Sequence, residues 1–239
     1  MNKIAVVILT CLSVGGIGVA NAAAGDSTVS VGYAQIHSSG LKKAVDFYGG
    51  AISNVDAKGV GDSIASGGLI PEDLSASGHA DKYKDPKGFN LKYRYEIDDS
   101  WGVIGSFTYA WGDYSGHSQA SANISGISAE ANLKGKIKSK YFSVNAGPTY
   151  RFNEYVSAYI MGGLAHSKYE ANGSLDASAN GKPMHIESLS ESKDKTAFSY
   201  SAGVQFNPIK SIAIDVAYEG SGSGDWKTSG FNVGVGYSF

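Results

Sequence analysis

A chain of 239 residues with 20 basic against 22 acidic side chains and a formal charge of −2 has room for one domain or at most two, and lacks the basic excess of a nucleic-acid binder. Its 32 glycines carry no collagen period, and 15 tyrosines outnumber 9 phenylalanines, a mixture suited to twisted strands and interfacial aromatic belts. The single cysteine, Cys11, excludes a disulfide framework.

The opening stretch MNKIAVVILTCLSVGGIGVANAAAG reads as a secretory signal peptide over 1–22, with basic Lys3, an apolar run from Ile4 to Val19 and the small-x-small ending Ala20-Asn21-Ala22. Cleavage is expected after Ala22, with Ala23 or Ala24 as nearby alternatives, and would remove Cys11 and leave the domain 23–239 at a formal charge of −3. No later run of about eighteen apolar residues follows, so no membrane helix is predicted. An exported chain of this kind is either soluble beyond the inner membrane or crosses a second membrane as a closed barrel of strands.

Period-two segments favour the barrel. The first, STVSVGYAQI, puts Val29, Val31 and Tyr33 on one face, and GFNLKYRYEI sets Phe89, Leu91, Tyr93 and Tyr95 against Asn90, Lys92, Arg94 and Glu96. After the hairpin-length DDS, WGVIGSFTYAW carries Trp101, Val103, Phe107, Tyr109 and Trp111 together. KYFSVNAGPTYRF opposes Phe142, Val144, Ala146 and Tyr150 to Ser143, Asn145, Thr149 and Arg151, with Pro148 unusual for a central strand. YVSAYIMGGLAH is read with Val156, Ala158, Ile160 and Leu164 outward. AFSYSAGVQF, SIAIDVAYEG and FNVGVGYSF alternate cleanly, each with aromatic and aliphatic residues opposite Ser, Gly, Asn, Asp or Glu.

The prediction is an all-β, eight-stranded antiparallel transmembrane barrel. Its connectors IDDS, FNEY and NPIK are short, whereas 37–88, 112–140, 167–196 and 220–228 are long, the layout of periplasmic turns and extracellular loops. A soluble sandwich or lipocalin-like barrel would need bulky residues on the face that here holds Gly, Ser, Asn and charges. The connector 37–88, rich in Gly, Ala, Ser and Asp, shows no strong periodicity and reads as a functional or disordered loop.

Inside so narrow a barrel, Lys92, Arg94, Glu96, Arg151, Asp215 and Glu219 are expected to form a polar network, because isolated buried charges are costly. The five histidines, His37, His79, His117, His166 and His185, miss the short metal-ligand spacings and single out no nucleophile, so no metal, cofactor or catalytic site is predicted. EGSGSGDW lacks the spacing and strand-to-helix setting of a phosphate loop. LKGKIKSKYF places Lys134, Lys136, Lys138 and Lys140 on the outward face that continues into Phe142, a candidate contact for lipopolysaccharide phosphates or anionic glycans. An ordinary solvated basic ridge is the competing reading.

GFNLKYRYEIDDSWGVIGSFTYAWG, AGPTYRFNEYVSAYIMGG, AFSYSAGVQFNP and VAYEGSGSGDWKTSGFNVGVGYSF together resemble the Ail, Lom, PagC and OmpX family of enterobacterial outer-membrane proteins. The resemblance implies eight strands with four extracellular loops and a role in adhesion, invasion or serum resistance, with host matrix or complement-regulatory proteins as partners. It carries over no ligand-binding loop residue and no catalytic set. A structural protein without a specific ligand and a lipid-modifying enzyme remain the alternatives. Tyr237 and the final Phe239 look like the assembly signal of such proteins, which implies periplasmic chaperones and the barrel-assembly machinery as partners.

Overall fold

A computed structural model describes residues 24–239; the predicted signal peptide, 1–22, lies outside the described residues. The alternating segments form β1 (Ser27–Ser38), β3 (Lys87–Glu96), β4 (Trp101–Ile124), β5 (Ile127–Arg151), β6 (Val156–Ala179), β7 (Lys182–Ile209), β8 (Ile212–Ser221) and β9 (Thr228–Ser238). Between β1 and β3 lie helix α1 (Ser39–Ser53), helix α2 (Ala57–Ser66) and strand β2 (Pro71–Ala80). All strands belong to one sheet, and every pairing is antiparallel. From β3 onward each strand pairs with the next, and β1 bonds to both β9 and β3, so eight strands close a cycle. Closure leaves those strands no free edge where the cycle is complete.

The expected count of eight is corrected by β2, a ninth strand that pairs with β4 between Ala80↔Gly116 and Pro71↔Ile124. Its sequence, PEDLSASGHA, is small and polar on both faces, so period-two reading finds no signal in it. The segments 112–140 and 167–196, read as loops, are largely strand. β4 and β5 stay in register to Ile124↔Ile127, and β6 and β7 pair as far as Ala179↔Lys182 with one register shift between Leu175 and Asp176. Their two-residue turns, Ser125-Gly126 and Asn180-Gly181, have φ of 51° and 80° and of 47° and 72°, the positive pair that matches a hairpin's twist. Pro148 sits in β5 opposite Val103, and the pairing with β6 lapses at Gly147 and Pro148 and resumes in the same register at Thr149↔Tyr159, since proline has no N–H to give.

Side-chain alternation sorts the two faces. Tyr93, Trp101, Val144, Ile160, Leu164, Phe198 and Val235 are exposed outward, while Asn90, Thr108, Ser143, Asn145, Thr149, Ser199 and Asn232 are buried inward. Rings cluster at two levels of the outer face: Trp101, Tyr150 and Phe152 near the short turns, and Tyr109 with Trp111 toward the opposite end. No described helix is long and apolar enough to cross a membrane.

Candidate functional site

The closed part of the sheet encloses a lumen filled by side chains. Lys92 Nζ pairs with Asp215 and donates to Asn232 Oδ1, and it lies 5.5 Å from the centre of the Tyr159 ring. Tyr159 donates to both oxygens of Asp215 at 2.9 Å. The ring occupies space that Gly203 leaves free; a Cβ there would lie 2.4 Å from the Tyr159 hydroxyl. Nearer the short turns, Glu96 Oε1 forms an ion pair with Arg94 Nη2 at 2.5 Å and accepts from Arg151 Nη2 at 2.6 Å, while Arg94 Nη1 donates to Gln205 at 2.6 Å. Glu219 accepts three hydroxyls, from Thr108 at 2.8 Å, Tyr141 at 2.7 Å and Ser143 at 2.5 Å.

Five of the six charged residues thus form ion pairs across the lumen, Lys92 with Asp215 and both Arg94 and Arg151 with Glu96, while Glu219 is held by hydroxyls; the formal charges of the six cancel. Two apolar clusters pack beside these groups, Ile104, Tyr159, Met161 and Ala217 in one and Ile36, Ala110, Tyr141 and Ala165 in the other, each joined to a carboxylate through its tyrosine hydroxyl. Such packing holds charge without offering a nucleophile beside a base.

Above this lumen α1 closes the mouth. Ser38 caps it by accepting from the Leu41 N–H, and Leu41, Val45 and Ile52 fall on one side of the helix. Leu41 and Val45 bury against Tyr114, with Tyr83, Ile137 and Tyr169 around them. The far end of α1 rests on β2, where Gly78 permits a close approach; a Cβ there would stand 1.9 Å from the Ile52 carbonyl oxygen. The sequence carried this helix as Leu41, Val45 and Ile52 behind a serine cap, a signal diluted by Gly49, Gly50 and the surrounding small residues.

A latch joins the mouth to β1. His37 Nδ1 and Gln35 Nε2 reach the Asp85 carboxylate at 2.8 and 2.9 Å, and the Ser38 N–H donates to the Tyr83 hydroxyl at 2.9 Å. Burial disfavours the charged Asp85, but donors from Gln35, His37 and Tyr83 outweigh it and hold the acid below the ordinary carboxylate range. Burial pushes the Tyr83 hydroxyl up. Tyr83 stacks on Tyr114 at 5.9 Å, and Tyr169 stacks on Trp226 at 5.2 Å. EGSGSGDW is therefore a docking loop, with Lys43 of α1 paired to its Asp225 at 2.8 Å.

The lysine series lies on the outer face of β5, with Lys134, Lys136 and Lys140 exposed and Lys138 half-buried. Its neighbours are mixed. Lys138 stands in register with Asp113 on β4 and Glu170 on β6, whereas Lys140 stands beside Trp111 and Lys168. Glu170 is further engaged by Lys168 at 2.7 Å. The histidines are dispersed: His37 in the latch, His166 against Phe142 and bonded to Thr196, and His79 opposite His117; the His185 side chain lies outside the described ones. Among the described residues no three His, Cys, Asp or Glu side chains gather to hold a metal ion.

At the other end, Tyr237 stacks with Phe239 at 6.3 Å. The Phe239 carbonyl accepts from Ser27 at 2.8 Å and its N–H donates back to the Ser27 carbonyl at 2.9 Å, so the pairing of β9 with β1 runs to the last residue given.

Comparison with known proteins fits this geometry. The family model described as enterobacterial Ail/Lom protein matches residues 50–239. The attachment invasion locus protein of Yersinia enterocolitica is 35% identical over 232 residues, covering 97% of this chain and 95% of the relative. Outer membrane protein Lom of Escherichia phage lambda is 39% identical over 159 residues, 64% of this chain and 73% of the relative. The crystal structure of Ail, the attachment invasion locus protein of Yersinia pestis, in complex with the heparin analogue sucrose octasulfate is also similar. It shares 32% identity and superposes with a TM-score of 0.54 over 90% of this chain and 99% of that one.

Proposed function

The chain belongs to the enterobacterial Ail/Lom family of outer-membrane proteins, and from that premise we propose a surface-displayed adhesion or serum-resistance factor carried on an eight-stranded transmembrane barrel. The reading rests on one observation, the reversal of polarity along single strands. β5 turns Phe142 and Val144 outward in its lower half, where the lumen holds Ser143 and Asn145. In its upper half the outward residues are Lys134, Lys136 and Lys140, and Ile137 packs inward against the core of α1. Lipid outside the lower half and water outside the upper half would require such a reversal. The four long segments then form the cell-surface tier, the short turns lie in the periplasm, and 1–22 directs export.

Presentation is the mechanism. A packed wall fixes the register of β4 to β7, and these strands continue outward as rigid hairpins that offer side chains to a partner. The lysines of β5 are the candidate contact for sulfated or phosphorylated groups, on lipopolysaccharide or on host glycans and matrix proteins. Their neighbours rank them: Asp113 and Glu170 offset Lys138 and Glu170 also acts on Lys140, so Lys134 and Lys136, with no carboxylate in register, carry most of the contact. Complement-regulatory proteins are the further partner class that a serum-resistance role requires.

The test is surface expression in a non-adherent, serum-sensitive bacterial host, comparing the intact protein with versions shortened in 38–87 and in 113–138. Adhesion or serum survival should appear with the intact chain and fall with either shortening; no gain with the intact chain would remove the adhesin reading and leave the fold untouched. Joint neutralisation of Lys134, Lys136, Lys138 and Lys140 should weaken association with phosphorylated lipopolysaccharide, and neutralising Lys138 alone should do little. The filled lumen predicts no steady conductance in a planar bilayer. Removal of Phe239 should lower the yield of heat-modifiable, membrane-inserted protein, because the barrel-assembly machinery and its chaperones would lose the terminal aromatic.

A further inference from the structure

His79 and His117 are thirty-eight positions apart in the sequence and belong to different strands. The antiparallel register of β2 with β4 sets them directly opposite each other. Both side chains are exposed on the outer side of the mouth, and their rings lie 6.0 Å apart, inclined at 50°. We propose that this pair is a surface site for a borderline divalent transition-metal ion of the Zn²⁺ class, held by two imidazole nitrogens across β2 and β4 and completed by water.

The geometry is close to what such an ion takes. Zn–N bonds of about 2.0–2.1 Å around a tetrahedral centre put two ring centres about 5 Å apart, so a small side-chain rotation closes the pair. Imidazole suits Zn²⁺, Cu²⁺ and Ni²⁺ and does not suit the hard cations Ca²⁺ and Mg²⁺, which take oxygen. The nearest carboxylate on the same face, Asp81, is committed to Ser115, accepting from its N–H at 2.8 Å and its hydroxyl at 2.9 Å. It contributes charge without serving as a third ligand, which makes the site open. Lys134 stands opposite His117 on the β5 side and opposes any cation there.

The position gives the metal a structural effect. β2 is built of small and polar residues, and its register shifts between Glu72 and Ser75. Such a strand has weakly specified pairing, and a slip of one residue would turn His79 to the opposite face. A metal bound to both imidazoles permits only the observed register, and it secures α1 as well, because Ile52 rests on Gly78 one residue away. The ion would therefore clip the first surface segment to the hairpin of β4 and β5.

The experiment uses the untagged mature protein folded in phospholipid nanodiscs, titrated with ZnCl₂ by calorimetry and followed by hydrogen exchange in residues 71–80. Zinc should bind with a stoichiometry near one. His79→Gln and His117→Gln should each weaken it by more than about tenfold, the lower bound for disturbing even an outer-shell partner. The double variant should bind at least as weakly as either single one, and Lys134→Gln should bind more tightly than the parent. At a free zinc concentration of about 100 times Kd, exchange in β2 should slow by up to about a hundredfold, reversed by EDTA. His37→Gln and His166→Gln should leave the titration unchanged. Parent-like zinc binding in the double variant, loss of binding in His37→Gln or His166→Gln, or exchange in β2 indifferent to saturating zinc would each overturn the proposal. Heat-modifiable migration of every variant establishes that the wall is folded, since both histidines are exposed and outside it.

Discussion

The lumen and the mouth of this protein are cores of opposite kinds built by the same strands. In the lumen Lys92, Asp215, Arg94, Glu96 and Glu219 are buried together while Val144, Ile160 and Phe198 face out. At the mouth Leu41, Val45 and Tyr114 are buried while the lysines of β5 face out. The backbone is common to both, so what changes along a strand is the surrounding medium. A pattern that looks inverted in one half is the ordinary rule of burial applied to a wall with lipid on its outer side. The two cores should then fail differently. Charges in the lumen are interlocked and costly to separate, whereas the mouth depends on one helix packed on aromatic rings.

The largest effect expected is in the lumen. Asp215→Ala removes the partner of Lys92 and both acceptors of the Tyr159 hydroxyl. Breaking a buried pair on one side costs about 3–5 kcal/mol, because the remaining charge has nowhere to go. Urea unfolding in lipid vesicles, followed by tryptophan fluorescence, should register that loss. The double change Lys92→Met with Asp215→Leu should recover most of it, since an apolar pair of similar size carries no uncompensated charge. A double variant as unstable as Asp215→Ala would mean that packing, rather than charge, dominates this layer.

Leu41→Ala probes the other core. Truncating a buried leucine costs about 2–5 kcal/mol, and here the loss should fall on local opening of α1, not on the wall. Hydrogen exchange in 39–53 should accelerate accordingly while the urea midpoint stays near that of the parent. If the midpoint dropped as far as it does for Asp215→Ala, the two cores would be one cooperative unit and the contrast between them would fail.

The same contrast decides what the sequence could disclose. The wall was legible because lipid and lumen impose strict alternation, as in Phe89 to Glu96, and the six lumenal charges stood out as polar residues on the hidden face. Beyond the membrane both faces of a hairpin can be polar, so the outer halves of β4 to β7, the lysine series of β5 aside, and all of β2 carry little apolar alternation and read as loops. Their turns were signalled all the same, by Asn180-Gly181 and Ser125-Gly126. Helix α1 had its cap and its apolar positions but was diluted by small residues. The pairing of Lys138 with Asp113 and Glu170, and of His79 with His117, depends on register between strands distant in sequence, which no local pattern contains.

The smallest of these effects concerns the latch between the two cores. Asp85 titrates below the ordinary carboxylate range because Gln35, His37 and Tyr83 together outweigh its burial. A depressed value means that folding favours the ionised form, so its contribution is complete above the unfolded-state value of about 3.9 and fades as pH falls through the lower folded value. Protection of the amides in 81–86 should therefore hold from neutral pH down to about 4 and weaken in more acidic solution. Asp85→Asn should flatten that dependence, since an amide keeps an acceptor but cannot gain a proton in this range. The change should be smaller than that of Leu41→Ala, because the Asp85 side chain retains 26% of its exposure and water replaces part of what is lost. Hydrogen exchange of 81–86 in parent and variant between pH 6 and 3 checks it. Identical profiles would show that the aromatic contacts of Tyr83 and Tyr114, and not the carboxylate, tie the mouth to the wall.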